Sequence, residues 1–172
     1  IKGYICMKLR SCENSGGGKS ISLMIFYDRK QELELLAQTR DVAFNSHSQM
    51  TVLTGRRRIG KTKLILKSCE DTPTVYLFVR RSNEAALCSL FAETASRSLN
   101  TYIPREITSF VSLFETLMTL GKNQSFNLVI DEFQEFFYID SSIYSGIQDV
   151  WDRYKDITHV HLIASGSVYT LM

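Results

Sequence analysis

Gly55-Arg56-Arg57-Arg58-Ile59-Gly60-Lys61-Thr62 is the stretch on which the fold turns. It reads G-x-x-x-x-G-K-T, with a β-branched and apolar run at 50–54 before it and residues that favour helix at 61–67 after it. Strand, glycine-containing loop and helix is the context in which this pattern cradles phosphate. The bland alternative, a glycine-rich surface turn that happens to carry a lysine, gives no reason for the strand and helix on either side.

The composition of the loop has a physical rationale. Phosphate oxygens must come within hydrogen-bond distance of successive backbone N–H groups, so glycine is needed where a side chain would block approach or where φ is positive. Gly55 and Gly60 are expected to supply this. The helix opening at Lys61 turns its free amides and positive dipole end toward the same anion. Lys61 adds a charge for the β- and γ-phosphates, and the Thr62 hydroxyl suits Mg2+. The expected nucleotide contacts are therefore Gly55, Arg56, Arg57, Arg58, Ile59, Gly60, Lys61, Thr62 and Lys63, with ATP as ligand and Mg2+ as cofactor. Arg56, Arg57 and Arg58 keep two readings: a solvated face, or one arginine reaching the γ-phosphate or a neighbouring subunit. Gly18-Lys19-Ser20 also reads G-K-S, but Glu13 stands where the first glycine should be, and no function is assigned to it.

A second apolar strand, at 126–130, delivers Asp131 and Glu132 at its end. In open α/β sheets the C-terminal edge of the strands is where ligands sit. Because a strand alternates faces, the two acids should aim differently, Asp131 toward the Mg2+ shell with Thr62 and Glu132 toward the attacking water. The competing reading is that Asp131 caps the next helix. The strand at 159–164 likewise ends in small polar residues, and Ser165 is the first choice for a hydroxyl that holds the water or senses the γ-phosphate, Ser167 the second, against a plain turn. His159 and His161 lack a third ligand and read as packed or surface residues. Phe133, Phe136, Phe137 and Tyr138 read as core or as cover for a partner rather than as a base-stacking platform.

Farther out, Asp28 and Gln31 form a capping-box pair, so a helix should start there, with Leu33, Leu36 and Ala37 inward and the polar run 45–49 ending it. Residues 74–79 read as another buried strand, and 83–99 as a helix with Leu87, Leu90, Phe91 and Ala95 on one side. Helices follow at 109–120 and from Ile143 to Tyr154. Strands that are near-continuous apolar runs, alternating with helices, predict an α/β fold: a mostly parallel sheet covered on both faces.

Composition narrows the classes. With 172 residues, 44% hydrophobic, and a net charge of +2, one core is expected and no electrostatic case for nucleic acid or an anionic membrane arises. Four cysteines without C-x-x-C spacing argue against a zinc site or a disulfide framework. The absence of a long apolar run or signal-like start points to a cytoplasmic protein. Residues 1–23, rich in Gly and Ser around 15–20, are expected to be a disordered or non-native leader, with the ordered domain at 24–172 beginning at Met24 and incomplete at its C-terminus.

Phe26-Tyr27-Asp28-Arg29, the loop at 55–62, Leu128-Val129-Ile130-Asp131-Glu132-Phe133-Gln134 and Leu162-Ile163-Ala164-Ser165-Gly166-Ser167 followed by Leu171-Met172 together resemble the prokaryotic AAA-type ATPases known as the archaeal ATPase family, STAND-like members of the ASCE P-loop class. The resemblance covers residues 24–172. It implies a three-layer fold with strand order 5-1-4-3-2, of which this chain would hold the part before strand 5 and the lid. It further implies Walker A at 55–62, Walker B at 127–132, a sensor-1-like group near Ser165, residues 26–29 near the adenine, and Gln134 tuning hydrolysis. The catalytic set would be Lys61, Glu132 and Ser165. The expected activity is Mg2+-dependent ATP hydrolysis coupled to conformational change. The alternatives are a nucleotide-gated switch with negligible turnover and, less favoured by the Asp131-Glu132 pair, a kinase. Expected partners are ATP and ADP, a homo-oligomer or an attached C-terminal effector domain, no membrane, and nucleic acid only through a further C-terminal part.

Overall fold

The computed structural model describes residues 4–8 and 29–167. Its elements run β1 (Tyr4–Lys8), α1 (Lys30–Asn45), β2 (Gln49–Gly55), α2 (Lys61–Ser68), β3 (Thr74–Phe78), α3 (Glu84–Leu99), α4 (Phe110–Leu120), β4 (Phe126–Asp131), a 3-10 turn (Phe133–Tyr138), α5 (Ser142–Tyr154) and β5 (Val160–Ser167). The five strands form one sheet in the order β1-β2-β5-β4-β3, every neighbouring pair parallel. The expected α/β architecture is what the chain adopts. The order of β2 to β5 is the one implied above for strands 1 to 4, with β5 between the two strands that carry the motifs.

The layers follow from the pleat. Leu53, Ile163 and Val129 point to one face, where Leu36 of α1 and Leu64 and Ile65 of α2 cover them. Leu162, Leu128, Val75 and Leu77 point to the other and meet the larger core built by α3, α4 and α5. Connections that step one way along the sheet use the first face and those that step back use the second, as right-handed crossovers require. The second core is rich in aromatics. Phe110 lies 6.0 Å from Phe91, edge-on, and 4.4 Å from Phe136. Such pairs add about 1 kcal/mol each to the burial of their area.

β2 to β5 match the expected runs to within a few residues: β4 and β5 are buried almost throughout, whereas β2 and β3 alternate buried with partly exposed residues. Three expectations change. Tyr4–Lys8, inside the stretch read as a leader, forms an edge strand in register with 50–54 of β2. Its apolar run Tyr4-Ile5-Cys6-Met7 was masked by the Gly/Ser-rich composition that follows. Helix α1 starts at Lys30 with Arg29 as N-cap and no side-chain cap; Asp28 lies outside the described residues, as do Met24, residues 26–27, the Gly18-Lys19-Ser20 decoy and Leu171-Met172. Leu90 is exposed at 46%, so the inner stripe of α3 is Leu87, Cys88, Phe91, Ala92 and Ala95.

Candidate functional site

The C-terminal ends of β2, β4 and β5 lie side by side, so the residues just beyond them converge. β2 ends at Gly55, opposite Ser167 of β5. The chain then turns through exposed Arg56, Arg57 and Arg58 and enters α2 through Gly60, its N-cap, at φ 86°. Only glycine holds that left-handed conformation without strain. Arg58 also sits there, at φ 64°. Gly55, by contrast, remains in the strand, and among the described glycines the left-handed geometry belongs to Gly60.

Lys61 is buried, and its Nζ donates to the carbonyls of Gly55 at 3.3 Å and Arg56 at 3.2 Å and to Ser167 Oγ at 3.1 Å. Thr62 Oγ1 donates to Asp131 Oδ2 at 3.0 Å. A cavity of about 270 Å³ opens here, lined by Arg57, Arg58, Gly60, Lys61, Thr62, Lys63, Glu132 and Ser167. Four of those eight are cationic, at a helix N-terminus, so the space suits a polyanion.

Asp131 is buried at the end of β4. Its Oδ2 also accepts from Tyr76 Oη at 2.5 Å, and its Oδ1 from the Glu132 N–H at 3.0 Å. Burial, and then the neighbouring Asp131, push the Tyr76 phenol well above its ordinary range, so it stays a donor. Three donors on a carboxylate fix its orientation. The helix-cap reading of Asp131 does not hold, since its side chain bonds Thr62, Tyr76 and the next backbone amide instead.

Glu132 departs from the simple alternation expected of a strand. It adopts φ 55°, ψ 42°, and this left-handed residue, not the pleat, swings its side chain toward the cavity. Both carboxylate oxygens are held: Oε2 by Gln134 Nε2, and Oε1 by Ser167 Oγ at 3.2 Å. The Ser167 N–H donates in turn to Gln134 Oε1 at 3.2 Å. Gly166 leaves room for this ring, because a Cβ there would stand 2.9 Å from Gln134 Oε1.

The two serines stand in different surroundings. Ser165 is fully buried opposite Leu53 and its Oγ has no hydrogen-bond partner among the described residues, whereas Ser167, two residues nearer the edge, touches Lys61, Glu132 and Gln134. His161 is buried against Thr51 Oγ1 at 2.9 Å, a packed histidine as expected. The aromatic cluster divides: Phe136 is core, Phe133 packs against it, and Phe137 and Tyr138 are exposed. Tyr76 escaped the sequence reading because it sits in an apolar strand. Its signal was a polar-tipped side chain within the apolar part of that run, past Thr74 and toward the strand's C-terminal end.

No protein-family model matches the chain. A curated relative, the uncharacterized protein MJECL04 of Methanocaldococcus jannaschii, is 26% identical over 148 residues, covering 86% of this chain and 31% of the relative. The solved structure of Cdc6p from Pyrobaculum aerophilum superposes with a TM-score of 0.60 at 20% identity, over 88% of this chain and 42% of that one. ORC2 from Aeropyrum pernix, solved as ADPNP–ADP complexes, gives 0.56 at 16% identity, over 83% and 42%. The chain thus spans under half the length of each. The fold is shared with the two solved structures: α/β with an all-parallel sheet.

Proposed function

We propose that this chain binds ATP with Mg2+ and, within the complete protein, hydrolyses it slowly to drive a conformational change. One observation carries the reading: Thr62 and Asp131, 69 residues apart, meet at 3.0 Å on the rim of a cationic cavity that also contains Glu132. A hydroxyl and a carboxylate are hard oxygen donors, the set Mg2+ takes, and the cavity's cations and helix N-terminus fit a triphosphate. The ADPNP–ADP complexes of ORC2, a protein of similar fold, favour an adenine nucleotide.

The residues then divide the work. Gly60 and the first turn of α2 offer amides to the phosphates, and Lys61 exchanges its carbonyl partners for phosphate oxygens. Thr62 and Asp131 would hold the metal, which when bound neutralises charge developing on the phosphates. Tyr76 keeps the Asp131 carboxylate oriented. Glu132 accepts a proton from the attacking water, with Ser167 and Gln134 setting its orientation. Arg57 and Arg58, on the cavity wall, would meet the distal phosphate or a neighbouring subunit.

Lys61→Ala should abolish binding of a fluorescent ATP analogue. Glu132→Gln should retain binding and lose turnover; normal hydrolysis by the full-length Glu132→Gln protein refutes the base assignment. A second reading, a switch that holds nucleotide with negligible turnover, is favoured by the full occupation of the Glu132 carboxylate by its own neighbours. A single-turnover assay separates them, since a switch keeps its ATP intact for many minutes. An attached effector domain or a homo-oligomer would receive the signal.

A further inference from the structure

We infer that Arg29 is a positioning residue for the phosphate loop, one that works from outside the cavity by holding a backbone carbonyl. Its guanidinium is buried, with the residue 8% exposed, although arginine is rarely buried without a partner. That partner is the loop itself: Nη2 donates to the Ile59 carbonyl at 2.8 Å. Among the described residues Nη1 is enclosed without a hydrogen bond, 4.0 Å from Glu32 Oε1. Neither Arg29 nor Ile59 lines the cavity, whereas Gly60 does.

The peptide bond makes the connection. In a trans peptide the C=O of one residue and the N–H of the next point in opposite directions from a rigid plane. Anchoring the Ile59 oxygen on the outer side therefore turns the Gly60 N–H inward. Gly60, lacking a Cβ and at φ 86°, is the residue most free to let that plane rotate. Ile59 packs into the core formed by α1 and α2, and the Arg29 carbonyl accepts from Leu33 N–H at 3.1 Å, so the clamp ties α1 to the loop. The resemblance noted above implies residues 26–29 near the adenine; the Arg29 Nη2 is bonded to the loop backbone.

The inference rests on the proposed phosphate site for its ligand but not for its loop geometry, and the test separates the two. Arg29→Met and Arg29→Lys are made in the full chain. Amide exchange of residues 55–62 is followed without nucleotide, and the affinities for ATP, ADP and inorganic tripolyphosphate are measured. Arg29→Met should speed loop exchange and weaken all three ligands by about tenfold, the worth of one charge-assisted hydrogen bond, and leave exchange in α3 and α4 unchanged. Arg29→Lys should recover most of both effects. Unchanged loop exchange overturns the inference, as does an equal rise in α3 and α4, or a loss for ATP and ADP that tripolyphosphate does not share. If the unaltered protein binds none of the three while loop exchange still responds to Arg29→Met, the proposed function falls and the clamp stands.

Discussion

Ser167 and Ser165 sit two residues apart on one strand face, yet only one of them reaches the cavity. Ser167 links the cation Lys61 to the carboxylate Glu132, so Ser167→Ala should lower turnover by about tenfold or more through misplaced charge, with nucleotide affinity changed little. Ser165→Ala removes a buried hydroxyl that has no partner and should leave steady-state hydrolysis near the unaltered rate. Tyr76→Phe deletes one of three donors to Asp131; titration of Mg2+ against hydrolysis should show its half-saturation rise by about tenfold. The sequence made the convergence of Lys61, Thr62, Asp131 and Glu132 legible, because spacing and flanking strands set which strand ends they occupy. It hid the serine choice and the hydroxyl of Tyr76, because which residue of a strand stands at the edge depends on register with its neighbours, a tertiary quantity.

The 3-10 turn after β4 shows what holds such a site at the level of elements. Phe136 is fully buried against Phe110 of α4 and Phe133, and through them the turn is fixed to the aromatic core. Phe136→Ala should cost about 3 kcal/mol in urea unfolding. Because Gln134 rides on the same turn, hydrolysis should fall in the fraction that remains folded. Gly166→Ala acts from the opposite side: the new Cβ would displace the Gln134 amide and free one Glu132 oxygen. Element existence was readable from apolar runs and helical spacing, since burial of a parallel strand on both faces leaves little ambiguity. Element edges were less so. Helix α1 starts without a side-chain cap and Leu90 turns outward, and Glu132 escaped the period-two rule because a single left-handed residue resets the direction of the chain.

Across the whole molecule, the two faces of the sheet differ in what they bury. The α1–α2 face holds His161, kept neutral by burial, with Arg40 adding a smaller effect, so that its pKa drops to about 3 from 6.5. The unfolded chain takes up a proton near pH 6.5 that the folded chain refuses. Stability from this group is therefore intact above pH 6.5 and declines as pH falls toward 3, by about 2 kcal/mol at pH 5. Denaturant midpoints at pH 7.5 and pH 5 check it, and His161→Gln should flatten the difference. At the sheet's far side, β1 pairs along five residues with β2, the strand that leads into the phosphate loop. Without that pairing the outer amides and carbonyls of β2 would be free to recruit the same strand of another molecule. A variant lacking residues 1–23 should accordingly scatter light in proportion to its concentration, and the short first strand is thereby a guard of solubility as much as a part of the fold.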